Sequence, residues 1–220
     1  MEYKVAVIIP TLNEEKFRAR CLDSVIEQSY PFRDMDVMVV DGGSNDRTRE
    51  IVEEYERKYI NIRFIHNPGR IQSIAFNIGV ENSDAPYIVR LDAHALYNKD
   101  YIEKCIAGLQ NDTQIGNVGG RCKILPFNDT LWANTNAILN YSRFGIGGSA
   151  FRVGVKPDFV DSVPFGAFPR TVFEKVGGMR EDLPRAEDNE YNSRIRKAGY
   201  KVFFNPEIVS SYYARPTLKA

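Results

Sequence analysis

The first 110 residues alternate between continuous apolar runs and segments with helical periodicity. The apolar runs are typical of strands buried on both faces of a sheet, and they cover residues 5–9, 37–40, 62–65 and 87–91. The helical segments cover residues 13–28, with Asn13 as the expected cap, and residues 47–59, 71–80 and 99–109. Four such alternations predict βαβ units and therefore an α/β fold with a doubly wound, parallel sheet.

The second half of the chain has a less regular pattern. It predicts a strand over residues 118–124, a helix over 131–141, a mobile glycine-rich loop over 145–154, a helix over 187–198 and a strand over 201–204. No repeat or linker divides the chain, which favours one domain. Because no closing element precedes Ala220, we expect further sequence to follow in the parent protein.

Composition narrows the class of protein. The 29 basic residues are balanced by 29 acidic residues, so the chain has no basic footprint for nucleic acid. The three cysteines are far apart and odd in number, which is typical of a reduced, cytosolic protein. No run of 18 apolar residues is present to span a bilayer.

Polar clusters follow three of the predicted strands. They occupy residues 13–15, 41–46 and 92–94. Ligands of doubly wound sheets bind beyond the carboxyl ends of the strands. We therefore expect the three clusters to converge on one ligand site.

Each cluster allows a chemical and a structural interpretation. Asp92 and His94 could both face a divalent ion that bridges two phosphates, or they could be a turn cap and a surface histidine. Asp41 could accept a hydrogen bond from a base or ribose beside two glycines. Alternatively, residues 41–46 form a glycine turn in which Asp46 caps the next helix.

Two further candidates lie outside these clusters. Glu187 and Asp188 begin a predicted helix, where the helix dipole favours acidic residues, but one of them could also act as a general base. Arg70 and Arg215 could bind phosphate, or they could be solvated surface arginines. The phosphate loop, the dinucleotide fingerprint and the nucleophile elbow are all missing from the sequence.

The motifs, taken in order, resemble those of family 2 glycosyltransferases. The likeness is strongest to bacterial succinoglycan-type exopolysaccharide glucosyltransferases, and it covers about residues 4–215. It rests on Ile-Ile-Pro-Thr-Leu-Asn-Glu-Glu at 8–15, Val-Val-Asp-Gly-Gly-Ser-Asn-Asp-Arg-Thr at 39–48, Asn-Ile-Gly at 77–79, Leu-Asp-Ala-His-Ala at 91–95, Gly-Gly-Met at 177–179 and Glu-Asp at 187–188.

The resemblance implies a GT-A fold, in which a Rossmann-like, mostly parallel central sheet is flanked by helices. It implies one catalytic domain over residues 1–220, with a nucleotide-binding half to about residue 110 and an acceptor-binding half beyond it. The implied donor is a nucleoside diphosphate sugar, usually a UDP-sugar, and the implied transfer inverts the anomeric carbon. The acceptor would be a saccharide or a polyprenyl-linked saccharide in polysaccharide biosynthesis at the inner face of the cell membrane.

The resemblance also assigns roles to residues. Asp92 and His94 take the places of the metal-binding DXD motif, with Mn²⁺ or Mg²⁺ as the ion, although histidine replaces the usual second aspartate. Asp188 would be the catalytic base. The residues implied to bind the nucleotide are Pro10, Thr11 and Glu14 at the nucleoside, Asp41 at the uracil, Arg70, and Asp92.

Two other functions remain open on the sequence. A nucleotidyltransferase would share the nucleotide-binding half, but residues 11–15 lack the glycine- and lysine-rich loop that such enzymes usually carry. A protein that binds nucleotide sugar without turnover is the second alternative. The Q-x-x-R-W motif of processive synthases is absent, which favours transfer of a single sugar.

Overall fold

The chain folds around one mixed sheet with helices on both faces. A computed structural model describes residues 3–16, 18–126, 150–183 and 185–213, together with Thr130 and Thr135. Within these residues the strands are β1 (Val5–Thr11), β2 (Met35–Asp41), β3 (Ile62–His66), β4 (Tyr87–Arg90), β5 (Ala95–Tyr97), β6 (Ile115–Leu125), β7 (Asp158–Phe159), β8 (Ala167–Pro169) and β9 (Lys201–Tyr213). The helices are α1 (Arg18–Ile26), α2 (Thr48–Lys58), α3 (Gln72–Glu81), α4 (Tyr101–Asn111), α5 (Ala150–Val153), α6 (Arg170–Val176) and α7 (Glu187–Lys197), and a 3₁₀ turn covers Phe32–Asp34.

The strand order creates a switch point beside β1. The order is β3-β2-β1-β4-β8-β6-β9-β5, with β7 paired to β9. The strands β3, β2, β1 and β4 run parallel, whereas β8 joins both β4 and β6 antiparallel. The strands β2 and β4 lie on opposite sides of β1. The loops that leave the carboxyl ends of β1 and β4 therefore run in different directions, and a crevice opens between them.

Burial on both faces explains the continuous apolar runs. Along β1, Val7 and Ile9 pack into a core with Leu22 of α1. Ile8, between them, packs on the opposite face with Phe76 of α3 and Tyr191 of α7. Successive side chains of a strand point to opposite faces, so a strand between two helical layers needs apolar residues at every position.

The structure confirms the alternation of strands and helices predicted for the first half. It corrects the start of the first helix, which begins at Arg18 rather than after Asn13. Asn13 has a φ of 56°, and its Oδ1 accepts a hydrogen bond from the N–H of Asn45. The side chain that was expected to cap α1 therefore ties its loop to the loop after β2.

The second half contains more structure than its pattern predicts. The strands β7 and β8 and the helix α6 were not predicted here, nor was the short strand β5 in the first half, and β9 continues to Tyr213. In the predicted glycine-rich loop, Ala150–Val153 form the short helix α5. The rest of that loop, the helix predicted at 131–141, and Arg215 lie outside the described residues. None of the described helices is long and apolar enough to cross a membrane.

Gly120 on β6 allows a close approach between two strands, and we expect Gly120→Ala to destabilise the fold. The pairing of β6 with β9 shifts register after this residue, and an added Cβ would lie 2.0 Å from the carbonyl oxygen of Ile208. Since this atom belongs to the backbone of a buried strand, the overpacking should cost about 3 kcal/mol of unfolding free energy in urea denaturation.

Gly108→Ala in α4 is the matched control for this substitution. Its added Cβ would lie 2.9 Å from Cγ2 of the buried Val118, so the cost of a small side-chain shift is set against the helix preference of alanine over glycine, which is about 1 kcal/mol. We expect its unfolding free energy to stay within about 1 kcal/mol of the wild type. Equal losses in the two variants would contradict the assigned role of the β6–β9 approach.

Candidate active site

A cleft of about 610 Å³ opens at the carboxyl ends of β1 and β4. One wall is formed by the loops after β1, β3 and β4, and the opposite wall by residues before and within the first turn of α7. The cleft brings together seven of the eight predicted site residues, and only Asp41 is absent from its lining. The seven are Pro10, Thr11, Glu14, Arg70, Asp92, His94 and Asp188.

The loop after β1 is attached to the segment after β2 by hydrogen bonds. Backbone N–H groups of the loop after β1 donate to side chains of the segment after β2. The N–H of Asn13 donates to Ser44 Oγ at 2.8 Å, and the N–H of Glu14 donates to Thr48 Oγ1 at 2.8 Å. The N–H of Glu15 donates to Asp46 Oδ2 at 3.1 Å. These bonds fix the backbone that carries Glu14 into the cleft.

Asp41 has its carboxylate engaged by its own loop. The side chain is buried, and Oδ2 accepts hydrogen bonds from the N–H groups of Gly43 and Ser44 at 3.0 and 2.9 Å. Oδ1 accepts a hydrogen bond from the Ser44 hydroxyl. An ionised carboxylate offers about four acceptor positions, so about one is left for a ligand. The cluster thus forms the turn of the structural interpretation, and the remaining acceptor position leaves a ligand contact of Asp41 open.

Asp46 lies one residue before the N-cap of α2, which is Arg47, so it supports the start of that helix without being its cap residue. Its Oδ1 accepts a hydrogen bond from the N–H of Thr48, the first residue of α2, at 3.0 Å. Such a bond satisfies a backbone donor that the start of the helix leaves unpaired.

Gly42 places the backbone of Arg70 beside the cleft. A Cβ at Gly42 would lie 3.1 Å from both Cα and the carbonyl oxygen of Arg70, so the close approach predicted for this glycine is to the protein backbone. Arg70 itself has a φ of 65°, in the left-handed region that non-glycine residues rarely adopt. Non-glycine residues in such conformations cluster at ligand sites.

One polar group lies on the cleft wall that the loops after β1 and β4 form. It consists of Asp92, His94 and Glu14. Nδ1 of His94 lies 2.9 Å from Asp92 Oδ1 and 3.0 Å from Glu14 Oε1. The His94 ring also packs edge-on against Tyr212 of β9, with 4.7 Å between centroids. The hydroxyl of Tyr97 holds the backbone of Asp92, since it accepts from its N–H and donates to its carbonyl oxygen.

The two carboxylates set the protonation of this group. Burial lowers the pKa of His94. Its hydrogen bonds to Asp92 and Glu14 have the opposite and larger effect, so the net pKa is raised to about 11. Burial raises the pKa of Asp92, and the hydrogen bond and charge of His94 outweigh that effect, so the net pKa is lowered. In the protein alone, the protonated imidazole of His94 therefore lies beside the ionised carboxylate of Asp92 at neutral pH.

The donors of this group fit a hard divalent cation. Carboxylate oxygens suit Mg²⁺ and Mn²⁺, and imidazole nitrogen is also a common ligand of manganese-like ions. Among the described residues, no set of three His, Cys, Asp or Glu side chains is arranged to hold a metal on its own. The donor atoms of Asp92 and His94 suit a divalent ion, but these two residues would not complete its coordination by themselves.

Asp188 stands on the opposite wall, in the first turn of α7. The residue before this helix, Ala186, has a φ of 63° and turns the chain so that the start of α7 lines the cleft. The Asp188 side chain is 28% exposed. Burial is the largest cause that raises its pKa, and the charges of Glu187 and Asp92 add to it, whereas Arg90 lowers it, for a net value of about 6.

Arg90 is a site residue that the sequence did not predict. It is the last residue of β4 and is 3% exposed. Its guanidinium pairs with Asp188, with Glu187 Oε1 at 3.0 Å and with Gln72 Oε1 at 2.8 Å. The only sequence signal is a charged residue at the end of an otherwise apolar strand, which requires a buried partner.

Solved structures identify the fold as GT-A. The mannosyltransferase PcManGT from Pyrobaculum calidifontis, solved with GDP-Man and Mn²⁺, superposes with a TM-score of 0.73 at 24% identity, over 96% of this chain and 57% of that one. GalNAc-T7, solved with UDP, GalNAc and Mn²⁺, gives a TM-score of 0.75 at 17% identity, over 97% of this chain and 44% of that one. At these identities the likeness establishes the fold, and the GT-A prediction is confirmed.

The chain belongs to glycosyl transferase family 2, whose sequence profile matches residues 6–177. It is 30% identical over 222 residues to a dolichyl N-acetyl-α-D-glucosaminyl phosphate 3-β-D-2,3-diacetamido-2,3-dideoxy-β-D-glucuronosyltransferase of Methanococcus voltae, covering 98% of this chain and 68% of the relative. It is 31% identical over 217 residues to the succinoglycan biosynthesis protein ExoA of Rhizobium meliloti, covering 96% and 64%. The family predicted from the motifs is confirmed, and the chain is a glycosyltransferase domain that spans about two thirds of these relatives.

Proposed function

We propose that this domain transfers a sugar from a UDP-sugar to a hydroxyl of a saccharide acceptor with inversion at the anomeric carbon. The main support for the proposal is that the candidate metal ligands and the candidate base line the same cleft from opposite walls. Asp92 and His94 face it from the sheet, and Asp188 faces it from α7. An inverting transfer needs the leaving group and the base on opposite sides of the reacting carbon.

The donor is proposed to lie along the sheet wall. Pro10, Thr11 and Glu14 would contact the nucleoside, with Arg70 at the nucleotide. Asp41 would use its remaining acceptor position for the uracil N–H, a contact that discriminates UDP from other nucleotides. These assignments come from the family motifs, and the position of four of the five residues in the cleft supports them.

A divalent ion, Mn²⁺ or Mg²⁺, would be held through Asp92 and His94. Bound there, the ion supplies Lewis-acid stabilisation of the diphosphate leaving group. The protein contributes the fixed backbone of Asp92, which Tyr97 holds, and the ring of His94, which Tyr212 supports. His94 would have to lose its proton to hold the ion, because an imidazolium cannot be a ligand.

Asp188 is the proposed base. Its carboxylate would accept the proton of the acceptor hydroxyl as that oxygen attacks the anomeric carbon. A pKa of about 6 leaves the carboxylate mostly ionised at neutral pH and still basic enough for proton transfer.

The acceptor is proposed to be a saccharide carried on a polyprenyl lipid, and the site of action the inner face of the cell membrane. The Methanococcus relative acts on a dolichyl-linked acceptor according to its name, and the Rhizobium relative takes part in succinoglycan synthesis. We assign donor binding to residues up to about 110 and acceptor binding to those beyond.

Release of UDP from a panel of UDP-sugars tests the proposal directly. With Mn²⁺ and a saccharide acceptor panel, we expect UDP release together with a glycosylated product of inverted anomeric configuration by NMR. GDP-sugars should be poor donors, because the guanine ring is larger than the uracil that the proposed nucleoside site would hold. Consumption of a nucleoside triphosphate with pyrophosphate release would instead identify a nucleotidyltransferase. Binding of UDP-sugar without hydrolysis or transfer would identify a binding protein.

A further inference from the structure

We propose that Arg90 is a positioning residue that fixes one oxygen of the Asp188 carboxylate and leaves the other aimed at the acceptor hydroxyl. The inference rests on the proposed role of Asp188 as the base. It concerns how a carboxylate on a helix start is held in the orientation that proton transfer requires.

Arg90 is fixed at its backbone as well as at its side chain. Its N–H donates to the carbonyl oxygen of Gly166 at 3.1 Å, and β4 lies between β1 and β8 in the sheet. The side chain is nine-tenths buried or more, at 3% exposure. A guanidinium in these surroundings has little freedom to move, so its partners are held in fixed positions.

The guanidinium joins the starts of two helices. Nη2 donates to Gln72, the first residue of α3, and to Glu187, the first residue of α7, while Nη1 donates to Asp188 Oδ1. Asp188 Oδ2 accepts no hydrogen bond from the described residues, and Asp188 lines the cleft. The free oxygen is therefore the one available to an acceptor.

The two carboxylates paired with Arg90 differ in exposure. Glu187 is 12% exposed and Asp188 is 28% exposed. If the network served only to attach α7 to the sheet, two equally buried partners would suffice. The arrangement instead holds Glu187 as the fixed counterion and presents Asp188 to the cleft.

The groups around Asp188 act on it in opposite directions. Arg90 on β4 stabilises the ionised carboxylate, whereas the charges of Glu187 and Asp92, and burial above all, raise its pKa. Tyr101 of α4 is the other titratable group that interacts with Asp188, and its own raised pKa keeps it neutral. Loss of Arg90 and loss of the Glu187 charge should therefore shift the ionisation of Asp188 in opposite directions.

The test compares Arg90→Met, Arg90→Lys and Glu187→Gln in the full chain at saturating Mn²⁺. The acid limb of kcat/KM should follow the ionisation of Asp188, and its midpoint in the wild type is the reference for the variants. We expect Arg90→Met to move this limb up by about one pH unit or more, and Glu187→Gln to move it down by about 0.5 unit. In Arg90→Met, kcat should fall about 10²-fold with the donor KM nearly unchanged, and Arg90→Lys should recover part of the loss.

A merely structural role would give a different result. Arg90→Met and Glu187→Gln both break the same hydrogen-bond network. If the network only stabilised the fold, both variants would lose activity, and the acid limb of kcat/KM would not move in opposite directions. A folded Arg90→Met variant with an unmoved limb and activity within about threefold of the wild type would overturn the inference. If Arg90→Met does not fold, an unmoved or raised limb in Glu187→Gln overturns it.

A second measurement separates this inference from the proposed function. The carboxyl ¹³C shift of Asp188, assigned by its disappearance in Asp188→Asn, reports its titration without any transfer assay. Opposite shifts of the midpoint in the Arg90 and Glu187 variants support the coupling even if no donor is turned over. The titration midpoint of Asp188 could instead be the same in all variants while Asp188→Asn abolishes transfer. That result would reject the role of Arg90 and keep Asp188 as the base.

Discussion

Asp188→Asn is expected to reduce the rate of sugar transfer by about 10²–10⁴-fold, the usual contribution of a positioned general base. The amide keeps the size of the carboxylate and can still accept a hydrogen bond from Arg90. It cannot take a proton from the acceptor. Donor affinity should remain within about threefold of the wild type, because the donor is proposed to lie on the opposite wall.

The measurement is single-turnover transfer from the UDP-sugar, with donor binding determined by calorimetry on the same samples. Asp182→Asn is the matched control, because this side chain is 64% exposed and pairs with Arg180 away from the cleft lining. We expect the control to keep wild-type activity. Full activity in a folded Asp188→Asn variant would remove Asp188 from the mechanism.

Asp92→Ala is expected to abolish the stabilisation of the protein by UDP in the presence of Mn²⁺. A ligand at 100 times its dissociation constant stabilises the folded state by about 2.7 kcal/mol. For a chain of this length that corresponds to a rise in Tm of about 5–10 °C. Loss of one of two protein ligands should remove most of this shift.

The screen compares UDP, GDP and ADP, each with Mn²⁺ and with EDTA, on the wild type, Asp92→Ala and Asp182→Ala. The wild type and Asp182→Ala should be stabilised by UDP with Mn²⁺ and much less with EDTA. If UDP stabilises Asp92→Ala as much as the wild type, the ion is held elsewhere or is not needed for binding. If metal removal has no effect on the wild type, the proposed metal role fails while the donor site remains.

The central strands of the first half, β1, β2 and β4, were predictable because they are buried on both faces and so carry a mostly apolar signal. β8 gives no such signal, since Ala167–Pro169 are three residues that end in a proline. β9 was predicted only to Phe204, because Asn205 and Pro206 normally end a strand. Its continuation depends on pairing with β6 and β5, which are distant in the sequence.

The site was predictable to the extent that it lies in short motifs at strand ends. Pro10, Asp92 and Asp188 are brought together by topology, and the order of the motifs identified the family. Arg90 was missed because its partners Gln72 and Glu187 are 18 and 97 residues away. The ligand role of Asp41 was predicted from its place in a motif, but its hydrogen bonds to Gly43 and Ser44 were not, because they depend on local loop geometry.

The cross-linked loops after β1 and β2 have a consequence for the thermodynamics of donor binding. Because Asn13 and Glu14 are already held by Ser44 and Thr48, the nucleoside wall exists before any nucleotide arrives. A preformed wall loses little conformational entropy on binding, so more of the interaction energy is retained as affinity. If the nucleoside binds there as proposed, it would meet a rigid surface, whose fixed shape would add to the base selectivity proposed for Asp41.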